Sequence, residues 1–350
     1  MTVAARRRDL DAVHAGLLRW FRSRHPGEDV RLGPLTQPST GYSSETLLLE
    51  VVRTTGGVER TDALVARLPP AGGGIFPEYD LDRQACVQAA LATTSVPVAR
   101  PVAVESDEDW IGTPFFVMTR VAGFVLADTP SYVVTGPLHD ATPAAQGRVQ
   151  REFIDVLAAV HTLDWEVLGL GGLTDPDARG CTGYLREART FVEWSSDGNV
   201  PGVIDDALEW GRANLPDPQP EPSLLWGDPR LGNVVFGGDW HQVALLDWEM
   251  ASIGPAELDL AWFLGLHAGS VRSAGADLPG FADPADVAAR WSAVVGRPVE
   301  HYPWYEMLSL VRAESIFLRI RRMLLAAGLD QPWLRATTPG ELRLAEIVSS

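Results

Sequence analysis

Lysine does not occur in this chain. All 29 basic residues among its 350 are arginine, so any role that falls elsewhere to an ammonium group must go to a guanidinium or be absent. Cysteine is scarce too. Cys86 and Cys181 are the two present, and they form neither a metal-ligand spacing nor a disulfide framework, which makes a reducing compartment the default. No run of about 18 apolar residues occurs that could span a bilayer. The arginine triplet at 6–8 is followed by Asp9 and Asp11 instead of an apolar stretch, while Leu10, Val13, Leu17 and Leu18 recur at helical spacing. This opening reads as an amphipathic helix, not a secretory leader, and points to a cytoplasmic protein. Positive charge is outweighed throughout. A formal net charge of −17 disfavours nucleic acid and anionic membrane as partners.

What is present is a globular composition, 46% hydrophobic and 21% charged, on a chain long enough for two lobes. No internal repeat appears. After the first helix, residues 46–55 and 61–70 are apolar, β-branched runs separated by Gly-Gly-Val-Glu, a hairpin signal. Asp80 starts a helix over 80–94, and strands follow over 96–105 and 114–123. From Gly123 the pattern turns helical. Residues 144–164 carry Val149, Phe153, Val156, Leu157 and Val160 on one stripe. Further helices are expected over 181–196, after Pro201 and over 304–328, with two short strands at 233–236 and 242–248. The fold class is α+β and bilobal. A small antiparallel β-rich N-lobe spans 1–122 and a larger, mainly helical C-lobe spans 123–350, with a ligand expected in a cleft between them.

One constellation carries chemistry. In "WGDPRLGN" (226–233), Asp228 is followed five residues later by Asn233, and Asp247 ends the apolar run of "LLDWE". Taken singly, Asp228 before Pro229 is a turn aspartate, Asn233 a hairpin residue and Asp247 an acid that burial would penalise. Their combination says more. Phosphoryl transfer to a hydroxyl needs Mg²⁺ on the triphosphate, a carboxylate to align and deprotonate the hydroxyl, and positive charge on the moving group. Mg²⁺ takes carboxylate and amide oxygens and keeps several waters, so one Asp and one Asn suffice as protein ligands. Asp228 is therefore the candidate base, and Asn233 and Asp247 the candidate metal ligands. The order parallels the protein-kinase pattern H-R-D-x-x-x-x-N followed by D-F-G. His161, on an apolar helix, reads as a satisfied core histidine, and Glu249 as a structural acid.

"LLWGDPRLGNVVF" followed by "ALLDWEMASIGPAELDLAWFL" resembles the core motif of the aminoglycoside phosphotransferase / choline kinase family, which has the protein-kinase-like fold. The wording is similar to a branch that includes actinobacterial phosphotransferases and kinase domains attached to, or encoded near, acyl-CoA dehydrogenases. The likeness runs along nearly the whole chain, since "PSTGYSSETLLLEV" resembles the glycine-containing first strand turn and "PFFVMTRVAG" the hinge. It implies that Gly41, Ser43 and Ser44 cover the ATP phosphates. It also places Arg67 where the family keeps its phosphate-binding lysine, with Gln84 near the position of the helix glutamate and Asp82 close but out of register. Met118 to Val121 would form the hinge, the backbone of Thr119 and Val121 reading the adenine edge. Arg230 would sit near the γ-phosphate, and Asp259 would brace the catalytic loop.

The resemblance implies a Mg·ATP-dependent kinase of a small hydroxylated molecule. Two acceptors compete: a hydroxyacyl-CoA, or an aminoglycoside-like antibiotic, for which Asp277, Asp283 and Asp286 would supply acidity. A homodimer is left open. A second reading is a nucleotide-binding pseudokinase acting as scaffold or regulator. It is motivated by the absent lysine, Gln84 in place of Glu, and Trp226 where the family commonly has His.

Overall fold

The computed structural model describes residues 8–38 and 43–350. The chain divides into two compact units, one of residues 1–93 and 99–121, the other of residues 94–98 and 122–350.

The first unit opens with α1 (Leu10–Arg24). The Asp9 carboxylate accepts the N–H groups of Asp11 and Ala12, and Arg22 and Arg24 lie in the last turn, where cations complement the helix dipole. Then come β1 (Asp29–Leu32), β2 (Glu45–Thr55), β3 (Val58–Leu68), α2 (Leu81–Leu91), β4 (Pro101–Glu105) and β5 (Phe115–Thr119). The strands form one antiparallel sheet in the order β1-β2-β3-β5-β4. Gly56 and Gly57 turn the β2–β3 hairpin at φ 58° and 80°, a conformation that glycine adopts without a steric cost. Strand alternation sorts the residues by face. Leu64, Ala66, Leu68, Phe115 and Val117 pack with Val13, Leu17, Trp20 and Phe21 of α1. Val65, Phe116 and Met118 face the other way, onto Leu81 and Ala85 of α2. The Trp20 indole also donates to Glu105 Oε2 at 2.8 Å.

The second unit contains β6 (Phe124–Val125), α3 (Pro143–His161), α4 (Cys181–Ser195), α5 (Gly202–Ala213), β7 (Ser223–Leu225), β8 (Val234–Phe236), β9 (Gln242–Leu245) and β10 (Ser252–Gly254). Four helices complete it: α6 (Glu257–Ala274), α7 (Pro284–Val295), α8 (Tyr302–Ala326) and α9 (Pro339–Val348). The strands form two small sheets, β6-β8-β9 and β7-β10. Residue 98 adds a parallel bridge to Leu245 on β9. The helical core is aromatic and aliphatic: Phe153, Trp226, Trp248, Phe263, Trp291, Trp304 and Tyr305 are all essentially excluded from solvent. On α3 the buried stripe is Val149, Phe153, Ile154, Leu157 and Val160, with Val156 half-buried at its edge. No helix among the described residues is long and apolar enough to cross a membrane. Cys86 is exposed and Cys181 buried, both as free thiols.

Several boundaries differ from the sequence expectation. Strand β3 begins at Val58, because the hairpin closes on two glycines and not on four residues. Strand β9 stops at Leu245 and does not run to 248, since Asp247 takes a left-handed backbone with φ 63°. The short strands β1, β6, β7 and β10 were not expected.

Candidate active site

Strand β7 leads into the loop that carries Asp228. Its entry is Gly227, at φ 91°, where a Cβ would lie 2.2 Å from the Met250 carbonyl oxygen. Only glycine passes there. The backbone on either side is held from α6. The carboxylate of Asp259, fully buried, accepts the N–H of Trp226 at 2.7 Å and of Gly227 at 3.1 Å. The same carboxylate takes His161 Nε2 at 3.2 Å, and Trp291 Nε1 donates to His161 Nδ1 at 2.9 Å. An indole N–H only donates, so Nδ1 is the acceptor and the ring proton sits on Nε2, facing Asp259. His161 is thus satisfied at both nitrogens inside the core, and it connects α3 and α7 to the loop.

Asp228 accepts three side-chain donors. Trp262 Nε1 reaches Oδ1 at 2.8 Å, while Arg230 Nε and Asn233 Nδ2 reach Oδ2 at 2.9 and 2.8 Å. Asn233 Nδ2 donates also to the Asp228 carbonyl at 3.0 Å. Arg230 bridges onward to Asp128. Burial opposes the charge on Arg230, but the carboxylates of Asp228 and Asp128 outweigh it and hold the guanidinium above its ordinary pKa. Gly232 makes room for this clasp, since a Cβ there would lie 2.5 Å from Asp128 Oδ1.

Asp247 arrives from the other side. Leu246, just before it, donates its N–H to the Asn233 carbonyl at 2.8 Å, and its own carbonyl accepts Trp226 Nε1 at 2.8 Å. The rings of Trp226 and Trp248 stack at 5.6 Å. Both polar groups of the Leu246 backbone are therefore fixed to the Asp228 loop. Asp247 itself is half-buried, and its left-handed backbone is the kind of strained conformation that clusters at functional sites.

The residues suit a magnesium ion. Both partners of Asn233 Nδ2 are acceptors, so the amide nitrogen must face Asp228 and the oxygen is what remains for a cation. Among the described residues no group of three or more His, Cys, Asp or Glu converges as a metal site. One amide oxygen and one carboxylate match the needs of Mg²⁺, which keeps most of its waters.

The remaining candidates lie in the first unit. Ser43 and Ser44 directly precede β2, Ser44 being buried; Gly41 lies outside the described residues. Arg67, half-buried on β3, pairs in register with Thr46 and Phe116. Strand alternation puts it on the face of Val65, the side that α2 covers. On that helix Gln84 is buried and Asp82 exposed. Met118 is buried and Thr119 ends β5; the Thr119 N–H donates to the Arg100 carbonyl at 2.9 Å, and Val121 follows half-buried. Sequence reasoning missed Trp262 and Asp128. Trp262 stands three residues after Asp259, one turn along the same helix face, which was the available signal. Nothing local marks Asp128.

Residues 35–293 match the model of the phosphotransferase enzyme family. Acyl-CoA dehydrogenase family member 11 of Rattus norvegicus is 30% identical over 231 residues, which are 65% of this chain and 27% of that protein. The chain thus spans about a quarter of the length of these curated relatives. A candidate aminoglycoside phosphotransferase from Ralstonia eutropha superposes with a TM-score of 0.73 at 24% identity, covering 98% of this chain and 99% of that one. Aminoglycoside phosphotransferase APH(4)-Ia, as a thermostable variant bound to AMP-PNP and hygromycin B, superposes with a TM-score of 0.55 at 15% identity, covering 95% and 98%. The α+β architecture is that of these kinase-like neighbours.

Proposed function

This chain belongs to the phosphotransferase enzyme family, and from that premise we propose that Asp228 aligns a hydroxyl of a small-molecule acceptor for attack on the terminal phosphate of ATP. The observation that carries the reading is the bonded cluster of Asp228, Asn233 and Leu246, which fixes a carboxylate, an amide and the start of the Asp247 turn together. As the acceptor oxygen bonds to the γ-phosphorus, the bond from phosphorus to the β-bridging oxygen breaks, ADP leaves, and Asp228 takes the hydroxyl proton. Asn233 Oδ1 and the Asp247 carboxylate would hold Mg²⁺, which supplies neutralising charge to the phosphates when bound. Arg230 adds a permanent positive charge beside the base.

In the first unit, Arg67 is the candidate for the α- and β-phosphates, where a guanidinium can bind two oxygens at once. Ser43, Ser44 and Gly41 would cover them with hydroxyl and backbone donors. Met118 to Val121 would seat the adenine. With the Thr119 N–H committed to Arg100, that residue has its carbonyl to offer, and Val121 its N–H.

For the acceptor, a hydroxyacyl-CoA is better supported than an aminoglycoside. Asp283 and Asp286 stand at the N-terminus of α7, where the helix dipole favours carboxylates, and Asp277 pairs with His267 at 3.2 Å. The three acids considered for a cationic antibiotic thus have structural work. The likeness to proteins named as acyl-CoA dehydrogenase family members points the same way. ADP release from Mg·ATP, measured against a panel of hydroxyacyl-CoA thioesters and aminoglycosides, tests both levels. Turnover with the thioesters that disappears in Asp228→Ala and Asp247→Ala is expected. Full turnover in those variants would refute the base and metal assignments, and ATP binding without transfer to any acceptor would favour a scaffold.

A further inference from the structure

The Asp228 carboxylate has about four lone-pair directions, and three of them are already occupied. Arg230 Nε and Asn233 Nδ2 take both on Oδ2, and Trp262 Nε1 takes one on Oδ1. One acceptor direction remains, on Oδ1, beside the indole edge. An incoming hydroxyl that donates to this carboxylate must therefore do so next to Trp262. The indole is almost fully buried, so its N–H cannot be replaced by water. Over its ring, at 5.4 Å from the centroid, sits the guanidinium of Arg312. The Arg312 Nη1 is shielded from solvent and has no hydrogen-bond partner among the described residues. The attraction of the ring face offsets the cost of that arrangement, and a cation over an indole draws electron density from it and makes its N–H a stronger donor.

We propose that Trp262 and Arg312 are positioning residues for Asp228: Trp262 fixes the carboxylate in one orientation and reserves a single Oδ1 lone pair for the acceptor hydroxyl, and Arg312 strengthens the indole donor from behind. The χ2 torsion of an aspartate is otherwise broad, and a base held in one orientation keeps the reacting oxygen aligned. The inference rests on the reading of Asp228 as the residue that aligns the hydroxyl. Its test starts from a signal that needs no substrate. In the full chain with ¹⁵N-labelled tryptophan, the Trp262 indole N–H resonance is identified by its loss in Trp262→Phe, or in Trp262→His should the first variant not fold. Asp228→Asn is expected to move that resonance upfield, and Arg312→Met to move it upfield by less. A resonance unmoved by Asp228→Asn overturns the proposal, and one unmoved by Arg312→Met overturns the part given to Arg312.

Kinetics supply the second readout. With Mg·ATP and hydroxybutyryl-CoA or hygromycin B, Trp262→Phe is expected to lower kcat about tenfold, the effect of roughly 1.4 kcal/mol, with KM for ATP unchanged. Trp262→His, which keeps a ring N–H, is expected to recover part of the loss. A kcat equal to that of the wild type in Trp262→Phe overturns the proposal. Undiminished turnover in Asp228→Asn would instead refute the reading of Asp228 as the residue that aligns the hydroxyl, whatever the indole resonance does.

Discussion

A single amide decides the chemistry expected at Asp228. Replacing the carboxylate by Asn keeps the shape but turns one acceptor into an NH₂ that meets other N–H donors, from Trp262 on one side or from Arg230 and Asn233 on the other. Asp228→Asn should therefore lower kcat by about 10²- to 10⁴-fold, the usual worth of a positioned base, as read by ADP release. A second residue-scale effect lies far along the chain. Glu314 on α8 is buried against the first turn of α9 and abuts Gly340. Burial and the neighbouring Glu341 push its pKa from 4.5 up to about 7, against a hydrogen bond from Thr338 and the charge of Arg321. The folded state thus holds this proton more tightly than the unfolded chain. Its stability contribution is complete below about pH 4.5 and is lost as pH rises through about 7. Urea midpoints at pH 5 and pH 8 should show a smaller decline in Glu314→Gln than in the wild type.

The same scale shows what a sequence discloses about a site. Asp228 and Asn233 were legible because they bond to each other across five residues, a local event that spacing records. The approach of the Asp247 turn to Asn233, through the Leu246 N–H, was legible only as order along the chain. Trp262 was not, because its donor role exists only once α6 is packed under the loop; in the sequence its one mark is its place a turn after Asp259. His161 could be read as a core histidine, but its link to Asp259 joins residues 98 positions apart, and no spacing rule reports that.

Among elements, the join between β7 and α6 matters most. Two consecutive backbone N–H groups and one imidazole converge on Asp259. Asp259→Ala would strand all three in a dry interior, costing about 3 kcal/mol or more, measurable as a fall in the urea midpoint. Gly227→Ala should likewise destabilise, by about 1–3 kcal/mol, because it adds backbone strain and a clash with Met250. The long elements followed from their periodicity: α1, α3, α4 and the β2–β3 hairpin lie close to where the pattern put them. The strands that did not are two to four residues long. They have no room for alternation, and β7 and β10 are strands only because each pairs with the other across the intervening β8–β9 hairpin.

For the molecule as a whole, the arginine-only inventory has a direct chemical consequence. With no lysine in the chain and Arg67 proposed for the position that the family gives to a phosphate-binding lysine, amine-selective ATP affinity reagents should fail to inactivate the enzyme. Phenylglyoxal, which modifies arginine, should inactivate it, and Mg·ATP should protect. Inactivation by the amine-selective reagent through a side chain would contradict the sequence itself; failure of Mg·ATP to protect would remove Arg67 from the phosphate site. On the proposed reading, that position holds a guanidinium whose planar fork can grip two oxygens.

The strip at 94–98 belongs to the second unit although residues of the first lie on both sides of it. Its Pro97 carbonyl receives the N–H of Leu245, and Val98 bridges the same residue, two positions from Asp247. A gene truncated to begin at codon 123 would encode the catalytic loop but omit this splint, leaving the outer edge of β9 raw. No single scission therefore yields two intact halves, and expression libraries that trim the coding region from its start should lose soluble product well before the trimming reaches Asp228.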